Sequence, residues 1–445
     1  MSIEVITLLL FGTLVFGLLM GLPLAFVLGG VAVVFTYFLW GPLSLFNIVL
    51  KTFSGMGNFI LVACPMFIFM ANILMRAGIS DNLYEAMYRW MGPLRGGLAI
   101  GTVGICAIFA AMSGISGAAT VSMGLIALPS MLKRGYHKDI AVGSISGGGA
   151  LGILIPPSVI MIILGLFAEI SVGALFAGGV FAGLLLALLF MVYIGIRCFF
   201  QKNLGPPIPQ EEKATWSKKF LSLKSLVLPL ALIVMVLGSI FTGAATPTEA
   251  AGVGALGSII CAAIHRKLNW RMFQEASYAT LRLSCMVLWI IYGASCFVAV
   301  YQALGAQGLV EGLFEAIPGG RWGVIIAMQL SFFVMGAFID PNGIIMITTP
   351  IYFPIIISLG FDPIWFGVLF VINMEMAYLT PPFGYNLFYM KAVVPKHITL
   401  IDIYRSIIPF VILQGIGLAI CMIFPQITLW LPQTLGLGGA CVALH

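Results

Sequence analysis

The sequence predicts an all-α polytopic membrane protein with about 10–11 transmembrane helices plus two re-entrant hairpins, arranged as an inverted repeat. Three observations predict it: too little charge for a soluble surface, long unbroken apolar runs, and Pro/Gly punctuation that recurs at one offset. Only 8% of the 445 residues are charged and 61% are hydrophobic, with a mean hydropathy of +1.13. A soluble domain carries about a quarter charged residues. The 21 Lys and Arg against 15 Asp and Glu leave a net charge of +6. This composition excludes a soluble enzyme, a nucleic-acid binder and a disordered chain. Continuous runs such as 173–196 exclude a β-barrel, whose strands alternate in character, and suit helices of about 20 residues. The eight Cys form no CxxC pair and read as small buried hydrophobes. No basic stretch precedes the first apolar run and the first charge is Glu4, so the first helix is expected to be retained.

In chain order the apolar spans are 3–21, 23–40, 58–76, 98–131, 138–168, 172–199, 224–243, 247–264, 282–303, 322–358, 363–390 and 404–424. A further stretch, 425–440, is broken by Pro and Gly. Two spans are anomalous: 98–131 is interrupted by Ser113-Gly114-Ile115-Ser116-Gly117, and 322–358 by Asp340-Pro341-Asn342-Gly343. Each reads as two half-helices joined by a turn deep in the membrane. With the N-terminus outside and both spans re-entrant, the model of ten crossings puts 19 of the 21 basic residues on the cytoplasmic side, leaving Lys51 and Arg321 outside. Making either hairpin a full crossing flips every later loop and destroys this bias. Ser80–Arg95 and Gln307–Arg321 read as interfacial arm helices preceding the hairpins, and His265–Ala276 as a surface stretch.

The repeat is read from spacing. Pro129, Gly135 and Pro156-Pro157 recur as Pro354, Gly360 and Pro381-Pro382, all at an offset of 225; Pro93 and Pro318 share it, and Pro23 and Pro247 differ by 224. The expected organisation is a first repeat at 1–168, a connecting helix and cytoplasmic linker at 169–223, a second repeat at 224–395, and a C-terminal helix and tail at 396–445. The first unit starts outside and the second inside, so the copies are antiparallel. Inverted repeats with broken helices are the pattern of secondary transporters.

Backbone that leaves helix geometry inside a membrane must line a cavity, meet protein or bind an ion. Four breaks qualify: 113–120, 147–158, 340–343 and 377–386. Freed carbonyls and Ser, Thr, Asn or Asp oxygens suit a small hard cation, and half-helix N-termini suit an anion without any Arg. For Ser116, Thr120 and Ser122, back-bonded hydroxyls or small packing residues are the alternative. Asp340 before Pro341 reads either as a helix N-cap or as an ion ligand. Thr246-Pro247-Thr248-Glu249 reads as a capping box in preference to an ion site. Asn373 and the intramembrane Glu375 are either functional or packed against another helix. Gly114-Ile115-Ser116-Gly117 fits the GxSG pattern of an intramembrane serine protease, but His137, His265, His397 and His445 all lie in loops or at the terminus, away from that Ser. The catalytic reading is set aside.

The run 110–162 (AAMSGISGAATVSMGLIALPSMLKRGYHKDIAVGSISGGGALGILIPPSVIMI), with 245–256 (ATPTEAAGVGAL) and 378–388 (YLTPPFGYNLF), resembles the large membrane subunit of tripartite ATP-independent periplasmic (TRAP) transporters. The resemblance spans essentially the whole chain. It implies an elevator-type fold like that of the ion transporter superfamily. It also implies Na⁺-coupled import of an organic anion in a bacterial inner membrane, with no cofactor beyond Na⁺ as coupling ion. The implied partners are a small four-helix membrane subunit on a separate polypeptide, a periplasmic substrate-binding protein and membrane lipid. Carried onto this chain, one Na⁺ site falls on Ser113, Gly114, Ser116, Gly148, Gly149 and Gly152, and the other on Asp340, Asn342 and Thr380. Ile115 stands where the family often carries a Ser. The anion site is expected between the tips, at Ser116, Gly117, Pro156, Pro157, Ser158, Pro381, Pro382 and Asn386. A stand-alone Na⁺/dicarboxylate symporter is the alternative within transport. Sialic acids, C4-dicarboxylates, sulfonates and other organic acids all stay open as substrates.

Overall fold

The computed structural model describes residues 2–306, 308, 312, 314, 317–381 and 384–438. Among these residues the regular structure is entirely helical, as the bilayer demands of a chain whose backbone must satisfy itself. The first half runs α1 (Ile3–Leu19), α2 (Leu24–Trp40), α3 (Leu45–Met56), α4 (Ala63–Arg76), α5 (Ile79–Met91), α6 (Gly97–Ser113), α7 (Ser116–Lys133), α8 (Lys138–Ala150), α9 (Val159–Phe167) and α10 (Val172–Phe200). The linker holds α11 (Trp216–Ser222). The second half runs α12 (Lys224–Phe241), α13 (Pro247–Ile264), α14 (Trp270–Ala303), α15 (Gly320–Gly336), α16 (Pro341–Ser358), α17 (Pro363–Leu379), α18 (Tyr385–Val393), α19 (Leu400–Ile423) and α20 (Gln426–Thr434). Among the described residues seven helical spans are long and apolar enough to cross a membrane, and five shorter helices are apolar.

The helix bounds follow the repeat spacing. α7 and α16 coincide at an offset of 225, α8 and α17 start 225 apart, and α9 and α18 start 226 apart. α10 and α19 also overlap at this offset, so the correspondence continues past the broken helices. One pair differs. α3 and α4 map onto a single unbroken helix, α14, because Gly55, Gly57 and Asn58 stand where the second copy has Thr280, Arg282 and Leu283. Gly57 weakens the helix and the Asn58 side chain accepts from the Ile60 amide, starting a new turn. The stretch read as surface, His265–Ala276, is therefore no separate element: from Trp270 it is the start of α14.

Two assemblies pack side by side. α2, α3, α4, α13 and α14 pack on one another, with α1 on α2 and α12 on α13. The broken helices form the centre of the other assembly. α8 is buried from Ile140 to Ala150, and α17 is buried from Pro363 to Ala377. α6, α7, α10, α15 and α19 surround them. Large apolar side chains face outward, such as Leu8, Phe38 and Phe199. In water this would be an aggregation surface; against lipid it is the expected one.

The amphipathic expectation for 80–95 is met by α5, which buries Ile79, Leu83, Tyr84 and Ala86. Its counterpart at 307–321 lies largely outside the described residues. The nine-residue α20 is about 14 Å long, too short to cross. Thr246 and Glu249 do form a reciprocal capping box on α13. The linker is a strap across the base of the first hairpin. Gly96 N–H donates to Gly205 O (2.9 Å), His137 N–H to Leu204 O (2.9 Å), and Ile208 N–H to Gly92 O (3.0 Å). Beyond them Glu212 accepts from Arg134 and Tyr88, which holds its carboxyl below the usual carboxylate range.

Candidate functional site

Each anomalous span is a pair of helices that pack on each other across a short connection. At the first tip, α6 ends at Ser113, Gly114 is left-handed (φ 61°), Ile115 is extended and α7 restarts at Ser116. Gly permits that φ without strain. The absence of a side chain also allows close approach: a Cβ on Gly114 would stand 2.5 Å from Pro157 O. The Ser113 hydroxyl donates to Ile115 O (3.2 Å). The Ser116 hydroxyl is buried and has no partner among the described residues.

The second break meets this tip. α8 ends at Ala150, a 3₁₀ turn covers Leu151–Ile153, and α9 begins at Val159. Ser158 caps α9, accepting from Met161 N–H, and donates to Ile153 O. The glycines predicted here are contact points. A Cβ on Gly152 would lie 2.9 Å from Ile115 and Ser116 backbone, one on Gly149 1.9 Å from Thr120 Oγ1, and one on Gly148 3.0 Å from Cys106. Pro156 and Pro157 complete the turn, with Pro157 facing Gly114.

In the second half, Asp340 caps α16, accepting from Asn342 N–H (2.9 Å) and Asn342 Nδ2 (2.7 Å). The capping role is thus occupied, while Asn342 Oδ1 is buried without a partner among the described residues. α17 ends at Leu379, where the Thr380 hydroxyl donates to Met376 O (2.6 Å). Pro381 is exposed, and Pro382 lies outside the described residues. Tyr378 and Tyr385 pair at 5.7 Å beside the second broken helix, and a Cβ on Gly117 of the first hairpin would stand 2.6 Å from the Tyr389 ring.

Asn386 joins the halves. Fully buried on α18, it donates through Nδ2 to Ser146 O on α8 (2.9 Å) and accepts from Thr120 Oγ1 on α7 (2.8 Å). The packing exchanges between repeats: α7 lies on α18, and α16 lies on α9. Each hairpin's second arm therefore touches the post-break half of the other copy's broken helix. The sequence reading weighed Thr120 among the hydroxyls of the first break, but it did not place Ser146 or Tyr389 in the site. The available signal was asymmetry: the position matching Asn386 in the first copy is Met161, so the amide is not a repeat feature.

Glu375 is not drawn into these contacts. It is fully buried, faces Gln414 of α19, and neither carboxylate oxygen has a hydrogen-bond partner among the described residues. Asn373 donates to Gln329 O (2.7 Å) and Oε1 (3.0 Å) on α15, while its Oδ1 is buried without a partner among the described residues.

Helices unwound at four points inside a lipid-belted bundle define a class: a membrane transport protein, with its polar groups gathered where backbone leaves the helix. The solved structure of the YdaH transporter of Alcanivorax borkumensis shares the fold, with a TM-score of 0.57 at 16% identity over 88% of this chain and 89% of that one. The chain belongs to the family described as tripartite ATP-independent periplasmic transporter, DctM component, which it matches over residues 11–427. It is 32% identical to the large permease of a C4-dicarboxylate TRAP transporter of Rhodobacter capsulatus, over 97% of this chain and 99% of that protein. It is also 29% identical to the large permease of an ectoine TRAP transporter of Halomonas elongata, over 96% and 98%. The chain is thus a multi-pass permease of the bacterial inner membrane.

Proposed function

We propose that this permease imports an organic acid by coupling its movement to Na⁺, working with a small membrane subunit and a periplasmic substrate-binding protein. The carrying observation is the pair of orphaned buried oxygens at the tips, Ser116 Oγ and Asn342 Oδ1. A buried polar atom without a partner is costly, and a ligand that supplies the missing contact stabilises the state it binds. Both atoms are hard oxygen donors beside helix ends, a donor set that suits Na⁺. Ser113, Gly114, Gly148, Gly149 and Gly152 would shape the first site, and Asp340 and Thr380 would complete the second. Na⁺ would order both tips, and the anion would bind between them.

The tips, broken helices and surrounding α6, α10, α15 and α19 would move as one block against the α1–α4 and α12–α14 assembly. Movement of this kind requires ligand affinity to differ between the two positions. Names of the relatives span a dicarboxylate and ectoine, so the substrate is proposed only as a small organic acid. Ser116→Ala and Asp340→Ala should each raise the Na⁺ concentration needed for half-maximal uptake several-fold. An unchanged Na⁺ requirement in both variants would remove these residues from the sites.

A further inference from the structure

A large cavity lies elsewhere in the described structure. About 680 Å³ in volume, it lies between α3, the turn that follows it and α14 of one assembly and α9 and α16 of the other. That volume falls in the range of small-molecule sites. It opens at the end of the bundle opposite the basic loops, by the charge reading of the sequence. Four features of its wall point to a ligand. Lys51 of α3 supplies a cation and Glu169, after α9, an anion, and the two form no ion pair within 4.0 Å. Asn58 and Gln302 add neutral donors and acceptors. Thr349 is on the cavity wall, only 2% exposed, and its buried hydroxyl has no partner among the described residues. Pro350 and Pro354 lack the N–H groups that would bond the carbonyls of Met346 and Pro350, so acceptors are freed on the same wall.

We propose that this cavity is a second binding site, a capture site on the outer face for an organic acid that carries one carboxylate together with hydroxyl or cationic N–H (ammonium or amidinium) donors. It rests on the transport reading above, and adds a substrate class to it. Lys51 holds the carboxylate. The freed carbonyls, the Thr349 hydroxyl and Glu169 accept from the donors. A plain dicarboxylate offers two anions and no donors, so it sets a charge against Glu169 and leaves the acceptors unfilled. α16 links this site to the tips: Thr349 stands about 12 Å along the helix from Pro341. A ligand in the cavity therefore contacts the helix whose N-terminus carries Asp340 and Asn342.

The test uses the full chain with its small membrane subunit in liposomes. A cysteine at Ser295, on the cavity wall, is reacted with an uncharged maleimide from outside, against the parent chain as background. The probes are N-acetylneuraminate, ectoine and succinate, in Na⁺ and in K⁺. Either of the first two should slow labelling threefold or more, in both salts, and succinate should not. Lys51→Gln should weaken that protection about tenfold and Lys51→Arg should restore most of it. Lys51 is exposed, so neither change threatens folding. No protection by either of the first two probes, protection by succinate alone, or equal protection in Lys51→Gln would overturn the proposal. Na⁺-driven uptake without protection removes the cavity and leaves the tip reading standing. Protection without Na⁺-dependent uptake does the reverse.

Discussion

The Thr120–Asn386 bond is a direct hydrogen bond between the first hairpin and the second half, and its loss can be worked through. Asn386→Leu keeps the number of side-chain heavy atoms but removes two bonds, at 2.8 Å to Thr120 and 2.9 Å to Ser146 O. Interhelical hydrogen bonds in membranes are worth about 0.6 kcal/mol on average, and buried neutral ones in soluble proteins about 1 kcal/mol. Asn386→Leu should therefore destabilise by about 1–2 kcal/mol. Ser146 O belongs to the interior of α8, and Thr120 keeps its bond to Ser116 O (3.2 Å), so no bare donor remains to enlarge the loss. Thr120→Val removes the shared bond from the other side. The double variant should lose about 0.6–1 kcal/mol less than the sum of the singles. The assay is reversible unfolding in mixed micelles, as a double-mutant cycle. A cycle that closes at zero would show that the two side chains do not interact.

Other predictions follow from the same contacts. Gly149→Ala places a Cβ 1.9 Å from Thr120 Oγ1, and Gly114→Ala adds left-handed strain to a 2.5 Å approach to Pro157 O. Each should destabilise by about 1–3 kcal/mol in the same assay, whereas Gly12→Ala, with nothing within 4 Å, should be neutral or stabilising. The linker strap should be pH-dependent. Glu212 is held below the usual carboxylate range by Tyr88 and Arg134, so its contribution is complete above that range and lost as pH falls through the lowered value. Proteolysis within 201–224 should accelerate on acidification, and Glu212→Gln should be cut readily at every pH; an identical pH profile in both would remove Glu212 from the strap.

The parts legible in the sequence were those written in Pro, Gly and charge. All four breaks in helix geometry fall where Gly, Pro and Ser cluster in apolar context, because a chain in lipid has few other ways to stop a helix. The repeat was legible for the same reason, since Pro129 and Pro354 mark equal places in α7 and α16. The fusion of α3 and α4 into α14 was not, because hydropathy reports burial in lipid and carries no record of where a helix starts. The strap was invisible because its bonds are made by backbone of Gly205, Leu204 and Ile208, which leaves no residue signature. Thr120 and Asn386 lie 266 residues apart. Only the packing of α7 on α18 brings them together, and no local pattern encodes that contact.

The central claim is coupling to Na⁺, and reconstituted uptake tests it most directly. Both membrane subunits are placed in liposomes, the binding protein is supplied outside with its organic acid, and an inward Na⁺ gradient is compared with an equal K⁺ gradient. The account predicts uptake above the equilibrium level with Na⁺ and none above background with K⁺. Equal accumulation in K⁺ would contradict it.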